Sequence, residues 1–231
     1  MVLHLQSLKY KEITVTQDNS LDKDEVKKEY YDSGALWRET PLVNGKKHGM
    51  ARAYYESGAI YSETPYVDGE KHGIDKSYHD SGALWIETPY VNGKMHGIAK
   101  EYYVSGALGI ETPYVNGNRH GIAKSYHVSG ILRWEAPYVN GNIHGIEKTY
   151  YSSGAPLVET PRVSGVIHGV DKWYYPSGAL DRETPYVNGK RYGIARGYDK
   201  EKLNIECLKL YRGDREVLIL CLESYRGGAS M

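Results

Sequence analysis

Residues 96–119 read HGIAKEYYVSGALGIETPYVNGNR, and close variants of this stretch recur along most of the 231-residue chain. Three series of glycines each keep a spacing of 24 residues over seven copies. The first follows serine, from Gly34 to Gly178, and the second follows Asn, Asp or Ser, from Gly45 to Gly189. The third follows histidine in six copies, namely Gly49, Gly73, Gly97, Gly121, Gly145 and Gly169. A fixed period of this length predicts a repeat architecture in which each unit packs against its neighbours.

Each unit reads as a strand, a turn and a second strand. The run Met50 to Tyr55 ends at Glu56-Ser57-Gly58, and a second run covers Ala59 to Thr64. A three-residue loop with glycine in the left-handed position predicts a β-hairpin. Pro65 has no N–H to give to a neighbouring strand, so we expect it at a bulge or strand end. The two glycines of Asp68 to Gly73 suit a longer connection to the next hairpin.

These units predict an all-β fold, because no segment has a helical apolar period. Hairpins joined by short connections are most simply antiparallel neighbours. We therefore expect an elongated single-layer antiparallel meander of 24-residue β-hairpin repeats with about 15 strands, on the order of 70 Å long.

The organisation we predict is one domain over residues 1–231, with degenerate terminal repeats as caps. Residues 1–25 form the N-terminal cap, 26–198 hold seven full repeats, and 199–231 form a degenerate C-terminal hairpin and tail. That hairpin is expected over Leu203 to Tyr225, with its turn at Arg212-Gly213-Asp214, and the tail Gly227 to Met231 is expected to be loose.

Composition and charge weigh against several classes of partner. The chain has 29 Lys and Arg against 29 Asp and Glu, so no net field attracts nucleic acid or an anionic membrane. We expect no nucleic-acid partner, and a membrane partner is disfavoured although a one-sided basic stripe could act locally. No apolar run approaches the ~20 residues of a membrane span, and the start lacks the features of a secretion signal, so we expect a soluble, cytoplasmic protein.

The two cysteines, Cys207 and Cys221, flank Gly213 almost symmetrically. They could lie near each other across the terminal hairpin. The absence of a secretion signal favours free thiols packed in the cap.

The glycine-rich segments Gly45-Lys46-Lys47-His48-Gly49 and Gly93-Lys94-Met95-His96-Gly97 resemble the MORN repeat. An aromatic residue stands three positions before the first glycine, as in Tyr90 to Gly93. The tyrosine pair Tyr102-Tyr103 before Ser105-Gly106 is most similar to the bacterial MORN-variant repeats of the YwqK-type antitoxin family. This resemblance spans about residues 26–225 and implies a hairpin solenoid that serves as a protein-binding scaffold, a membrane-associated module or an antitoxin.

The recurring polar residues are predicted to be structural. Corresponding atoms of successive hairpins lie ~9.6 Å apart, too far to share one metal ion or one carboxylate pocket. We expect each histidine to cap its own glycine-rich loop through a hydrogen bond to the backbone. The series is His48, His72, His96, His120, His144 and His168. The recurring glutamates and basic residues are expected to form an ion ladder, and we predict no metal, no cofactor and no catalytic residue.

Positions that vary between copies are the candidates for partner binding, because they are free of a shared structural duty. The two positions after the hairpin turn are rich in Trp and Arg, which are common in binding hot spots. We predict an interaction strip through Trp37, Tyr61, Trp85 and Trp134. A second strip is expected at the loop position if Ile143 and Ile167 are exposed.

The function that this pattern favours is a non-catalytic scaffold that binds another protein along an extended β face. The resemblance gives a narrower alternative, the antitoxin of a toxin pair, and a peripheral membrane or lipid module is a further one. The edge strands also leave homodimerisation open. An enzyme is the least favoured class, because no catalytic motif occurs.

Overall fold

The computed structural model describes residues 11–16, 24–200 and 205–221, and every regular element in those ranges is a β-strand. The strands are β1 (Lys11–Thr16), β2 (Asp24–Tyr30), β3 (Leu36–Val43), β4 (Lys46–Lys47), β5 (Gly49–Tyr54), β6 (Ile60–Val67), β7 (Glu70–Lys71), β8 (Gly73–Tyr78), β9 (Leu84–Val91), β10 (Lys94–Met95), β11 (Gly97–Tyr102), β12 (Leu108–Val115), β13 (Asn118–Arg119), β14 (Gly121–Tyr126), β15 (Leu132–Val139), β16 (Asn142–Ile143), β17 (Gly145–Tyr150), β18 (Pro156–Val163), β19 (Val166–Ile167), β20 (Gly169–Tyr174), β21 (Leu180–Val187), β22 (Lys190–Tyr198), β23 (Ile205–Arg212) and β24 (Arg215–Cys221).

The chain divides into two compact units, Met1–Asn118 and Arg119–Met231. Within each unit, successive strands pair antiparallel in a hairpin meander, so the predicted fold class is confirmed. The described ranges hold 24 strands rather than about 15. Six are two-residue strands that flank the second turn of the repeat, and three more, β1, β23 and β24, lie outside the seven repeats. The single-domain organisation stays a prediction.

The first turn of each repeat is the predicted three-residue loop. In the hairpin of β5 and β6, the Tyr55 N–H donates to the Ala59 carbonyl at 2.8 Å, and the Gly58 N–H donates to the Tyr55 carbonyl at 2.9 Å. Gly58 has φ +88°, the left-handed conformation that glycine adopts without steric cost. The pairing slips by one residue between Ala53 and Tyr54, which is a β-bulge.

The second turn is tighter than expected. Asp68 and Gly69 have φ values of 50° and 92°, and they join β6 to β7 as a two-residue turn. Both central residues of such a turn need positive φ, which short polar side chains and glycine tolerate best. The predicted longer connection is therefore a tight hairpin, and His72 is the one residue between β7 and β8.

Pro65 lies beside this one-residue gap. It is inside β6, opposite Met50, but on its other side β6 pairs with β8 only at Ser62 and Glu63. The Pro65 carbonyl accepts a hydrogen bond from the His72 N–H at 3.0 Å. The expected position at a bulge or strand end is met in part: Pro65 lies inside β6, and pairing with the following strand is interrupted beside it.

Strand register divides the side chains between two faces. Directly opposite residues share a face, so Arg52 and Glu63 lie on one, which we call the ladder face. Ala51 and Thr64 lie on the other, which we call the small-residue face, and both are buried. The remaining buried side chains are Ala53, Ala123, Ala136, Tyr138, Ala195, Tyr211, Thr40, Thr160 and Asp171.

The predicted caps contain strands where the structure describes them, and their role as caps stays a prediction. In the first unit, β1 pairs with β2 and precedes the first full hairpin. In the second, β23 and β24 form the terminal hairpin, with Gly213 and Asp214 both at φ 64°. The expected loose tail lies outside the described residues.

The prediction of free thiols is wrong. Cys207 is disulfide-bonded, and the backbone of Cys207 lies opposite that of Cys221 across β23 and β24. Directly opposite residues of antiparallel strands are about 4.5 to 5.5 Å apart between Cα atoms, which is within the range that a disulfide requires.

Candidate protein-binding surface

The ladder face carries a row of alternating carboxylates and cations. Arg52 lies between Glu39 and Glu63, with N–O distances of 3.7 and 3.0 Å. In the second unit, Lys148 is 3.7 Å from Glu135. These pairs are about two-fifths exposed on the cationic side, so each contributes only about 0.2 to 1 kcal/mol. The register confirms the predicted ion ladder.

Six of the ladder glutamates also accept a tyrosine hydroxyl from the next repeat. Tyr54 Oη donates to Glu39 Oε1 at 2.6 Å, and Tyr78 Oη donates to Glu63 Oε2 at 3.0 Å. The same bond joins Tyr102 to Glu87, Tyr150 to Glu135, Tyr174 to Glu159 and Tyr198 to Glu183. The carboxylates therefore hold one repeat to the next.

The pKa values of the ladder residues are shifted in the directions expected of structural hydrogen bonds and ion pairs. Burial and the bond to Glu39 raise the pKa of Tyr54 to about 12. The hydrogen bond from Arg52 lowers the pKa of Glu63, which is the direction opposite to that of a carboxyl tuned as a general acid.

The histidines cap the loop of the following repeat rather than their own. His72 Nδ1 lies 3.2 Å from Asn92 Oδ1, and His168 Nδ1 lies 3.3 Å from Asn188 Oδ1, each 20 residues further along the chain. His48 likewise faces Asp68. The expected backbone hydrogen bond is present at His48 and His168, whose Nδ1 atoms accept the Asp68 and Asn188 N–H groups at 3.5 and 3.4 Å. The expectation that each histidine caps its own loop is wrong, because these donors belong to the turn of the following repeat. The described residues contain no group of three or more His, Cys, Asp or Glu arranged to hold a metal.

The predicted aromatic strip occupies two adjacent register positions. Tyr61 packs edge-on against Tyr55, with ring centroids 5.2 Å apart, and Trp85 stacks on His79 at 5.5 Å. Tyr61 and Trp85 are 40% and 38% exposed. They and Trp37 are the extra residues of the bulge, since pairing skips from the residue before each to the residue after.

Trp134 stands one position later in the repeat, opposite Ser125 on the small-residue face. Its Nε1 donates to Glu147 Oε1 at 2.8 Å. Its side chain packs against a buried cluster of Ala123, Ala136 and Tyr138. The structure thus gives Trp134 a structural role that Trp85 does not share.

This difference predicts unequal costs of truncation. We expect Trp134→Ala to lower the free energy of unfolding by about 2 kcal/mol, because it removes cluster packing and one of two hydrogen bonds to Glu147, which keeps its bond from Arg162. Trp85→Ala removes one loop stack and should cost less than about 1 kcal/mol. Urea unfolding followed by circular dichroism measures both, and equal losses would contradict the assignment.

Ile143 and Ile167 do not meet the condition set for the second strip. Both are half-buried, and Ile143 packs against the same buried cluster as Trp134. The equivalent position in the first unit carries lysine in two copies and methionine in a third, Met95. The Lys71 ammonium lies 4.8 Å from the ring centroid of Tyr90. This loop position thus packs beside the tyrosine row of the small-residue face.

The structure also has an exposed aliphatic stripe that the sequence pattern did not predict. On the ladder face, the residue after each His-Gly or Tyr-Gly pair is 41% to 52% exposed in six copies: Ile74, Ile98, Ile122, Ile146, Val170 and Ile194. The valines just before the second turn are 42% to 48% exposed: Val67, Val91, Val115, Val139, Val163 and Val187. Both series recur in the sequence, but strand alternation alone does not say which face lies open.

The sequence profile of the MORN repeat variant matches residues 47–68, 71–92 and 167–188. These three segments lie within the regular repeats, and the match supports a protein built of MORN-type repeats. No curated protein matches the chain.

No helix suited to spanning a bilayer occurs among the residues that the structure describes.

Proposed function

We propose that this chain is a non-catalytic scaffold that binds another protein along the ladder face, through the aliphatic stripe. The observation that carries the proposal is the repeated exposure of Ile and Val on a β face whose cations alternate with carboxylates. Exposed apolar residues that form a contiguous patch are typical of interaction sites, whereas scattered ones are not.

Geometry supports a long partner surface rather than a small ligand. In the first unit, Ile74 and Ile98 occupy the same register position, opposite Pro89 and Pro113. Equivalent positions of successive hairpins are about 9.6 Å apart, so the stripe offers apolar contacts at a regular interval. A partner with matching apolar side chains gains from several such contacts together.

Charge favours a protein over an anionic bilayer. The row next to the stripe alternates Glu and Lys or Arg, with Arg52 held between two carboxylates. A surface that binds anionic lipid presents an excess of cations, at about 1 kcal/mol for each. The balanced ladder offers no such excess.

The stripe can be tested against the predicted aromatic strip in one experiment. Tagged wild type, the double variant Ile74→Thr/Ile98→Thr and Trp85→Ala are used for affinity purification from the native cell. Threonine keeps the β-branched shape that suits a strand while it removes apolar surface. We expect the double variant to bind its partner roughly 30-fold more weakly, at about 1 kcal/mol for each isoleucine.

Thermal unfolding of all three proteins is the control for folding. Partners lost only with Trp85→Ala would favour the strip through Trp37, Tyr61 and Trp85 instead. Unchanged partners with both folded variants would refute binding along either surface. Pelleting with vesicles at low and at physiological salt would favour the membrane module.

The antitoxin is the narrower form of the same proposal, in which the partner is a growth-inhibiting toxin. The similarity of the Tyr102-Tyr103 and Ser105-Gly106 pattern to the YwqK-type family supports it. Co-expression with the product of a neighbouring reading frame tests this form: restored growth with wild type, and not with the stripe variant, would support it.

A further inference from the structure

A cavity of about 410 Å³ opens on the small-residue face of the second unit. We call it the C-terminal pocket and define it by Trp173, Arg182, Tyr186, Arg191, Lys209 and Tyr211. It lies on strands β20 to β23, away from the aliphatic stripe, which occupies the opposite face. Ligand binding in this pocket is therefore independent of the partner binding proposed above.

The pocket is open because two positions of its floor carry small residues. Ala195 and Gly197 stand where the previous repeat has Asp171 and Trp173, 24 residues earlier. Ala195 lies opposite Lys209 in the strand pairing, and Gly197 lies opposite Cys207. A small residue at both places leaves room between the indole on one side and the terminal hairpin on the other.

Most charged groups around the pocket already have partners. The buried Asp171 carboxylate accepts hydrogen bonds from Trp173 Nε1 at 2.7 Å and Thr160 Oγ1 at 2.6 Å. Arg191 Nε lies 3.5 Å from Asp214 Oδ1, and Lys209 Nζ lies 3.4 Å from Glu216 Oε2. Two acids on the terminal hairpin thus offset two of the pocket's cations.

Arg182 is different. Its guanidinium lies 4.3 Å from the ring centroid of Trp173, and it forms no hydrogen bond or ion pair with any other residue of the described part of the chain. A guanidinium that stacks by its face keeps the N–H groups of its edge available, and this fork matches a carboxylate in a bidentate pair. Stacking also fixes its orientation, which lowers the entropic cost of binding.

We propose that the C-terminal pocket binds a carboxylate side chain from an acidic segment of a partner protein. Arg182 pairs with the carboxylate, and the rings of Trp173 and Tyr186 pack against the neighbouring residues of that segment. Arginine, tryptophan and tyrosine are the residues that dominate binding energy at protein interfaces. The volume admits one or two side chains, and the N–H groups of the Arg182 guanidinium, which has no acidic partner among the described residues, favour a carboxylate.

Fluorescence anisotropy with the full chain tests this proposal. The probe is a fluorescein-labelled peptide of sequence Leu-Glu-Tyr-Glu-Leu, and the matched control peptide carries Gln in place of both Glu. We expect the acidic peptide to bind and Arg182→Gln to weaken binding at least tenfold. Arg182→Lys keeps the charge but not the fork, so it should give an intermediate affinity.

Arg38→Gln is the matched control variant. Arg38 occupies the same position in the repeat, 144 residues earlier, and also lies over a tryptophan ring, that of Trp37 at 5.8 Å. It should leave binding unchanged. Equal binding of the two peptides, wild-type affinity in Arg182→Gln, or no binding up to millimolar peptide would each overturn the proposal. So would competition by acetate at the concentration of the peptide, which would indicate a simple anion site.

Discussion

Replacement of Gly145 by alanine is expected to lower the free energy of unfolding by about 3 kcal/mol or more. Gly145 has φ +122°, a conformation that residues with a Cβ rarely adopt. A Cβ built there would lie 2.7 Å from Pro137 Cγ, closer than atoms in real structures come. The proline ring has a fixed φ and sits inside β15, so it has little freedom to move away.

Gly130→Ala is the matched control, since it separates backbone strain from the clash. Gly130 also has positive φ, at +81°, but no atom lies within 4 Å of its hypothetical Cβ. It should cost only about 1 to 2 kcal/mol, the penalty of a left-handed non-glycine residue. Urea unfolding by circular dichroism compares the two. A Gly145→Ala protein as stable as the Gly130→Ala protein would contradict the close contact with Pro137.

A second large loss of folding stability is expected at alkaline pH, where the tyrosines ionise. Burial, then the bonds to Glu39 and Glu159, raises the pKa of Tyr54 and of Tyr174 to about 12. A group whose pKa is raised on folding stabilises the fold fully below its unfolded pKa, near 10, and this contribution is lost as the pH rises through the folded value. Unfolding midpoints should therefore fall steeply between about pH 10 and pH 12.

Tyr174→Phe isolates this effect from the lysines that titrate in the same range. The variant lacks the hydroxyl, so it should be less stable than wild type at pH 8 and should lose less stability between pH 8 and pH 11. Thermal unfolding at the two pH values, with phenolate absorbance to follow ionisation, makes the comparison. Parallel losses in the two proteins would show that Tyr174 titrates normally.

Most of the fold follows from backbone chemistry that sequence reveals directly. Gly58 marks a loop because only a left-handed residue closes it, and Pro65 marks a break in strand pairing because it has no N–H. The tightness of the Asp68-Gly69 turn was underestimated, although an Asp-Gly pair is itself a strong signal for two residues with positive φ. The disulfide of Cys207 could not be predicted without the strand register, which places Cys221 opposite it.

The surface was harder to predict, because a one-residue slip in register exchanges the two faces of a strand. Ile74 and Thr64 are both recurring strand residues, yet the first is exposed and the second is buried. The bulge also separates Trp85 from the register position of Trp134. Variation among copies therefore identified these tryptophans but not the different surroundings that the structure gives them.

In the first unit, hydrogen bonds join neighbouring repeats at both the first and the second turn of the repeat. Tyr55 Oη donates to the Tyr78 carbonyl at 2.7 Å, and the Gly69 N–H donates to the Lys47 carbonyl at 2.8 Å. Donor and acceptor are offset by 23 and 22 residues, so excision or duplication of one complete 24-residue module lets the flanking copies re-form the same bonds. The number of repeats can therefore change in evolution without loss of these hydrogen bonds. A single inserted residue, in contrast, would shift the donor away from its acceptor in both bonds.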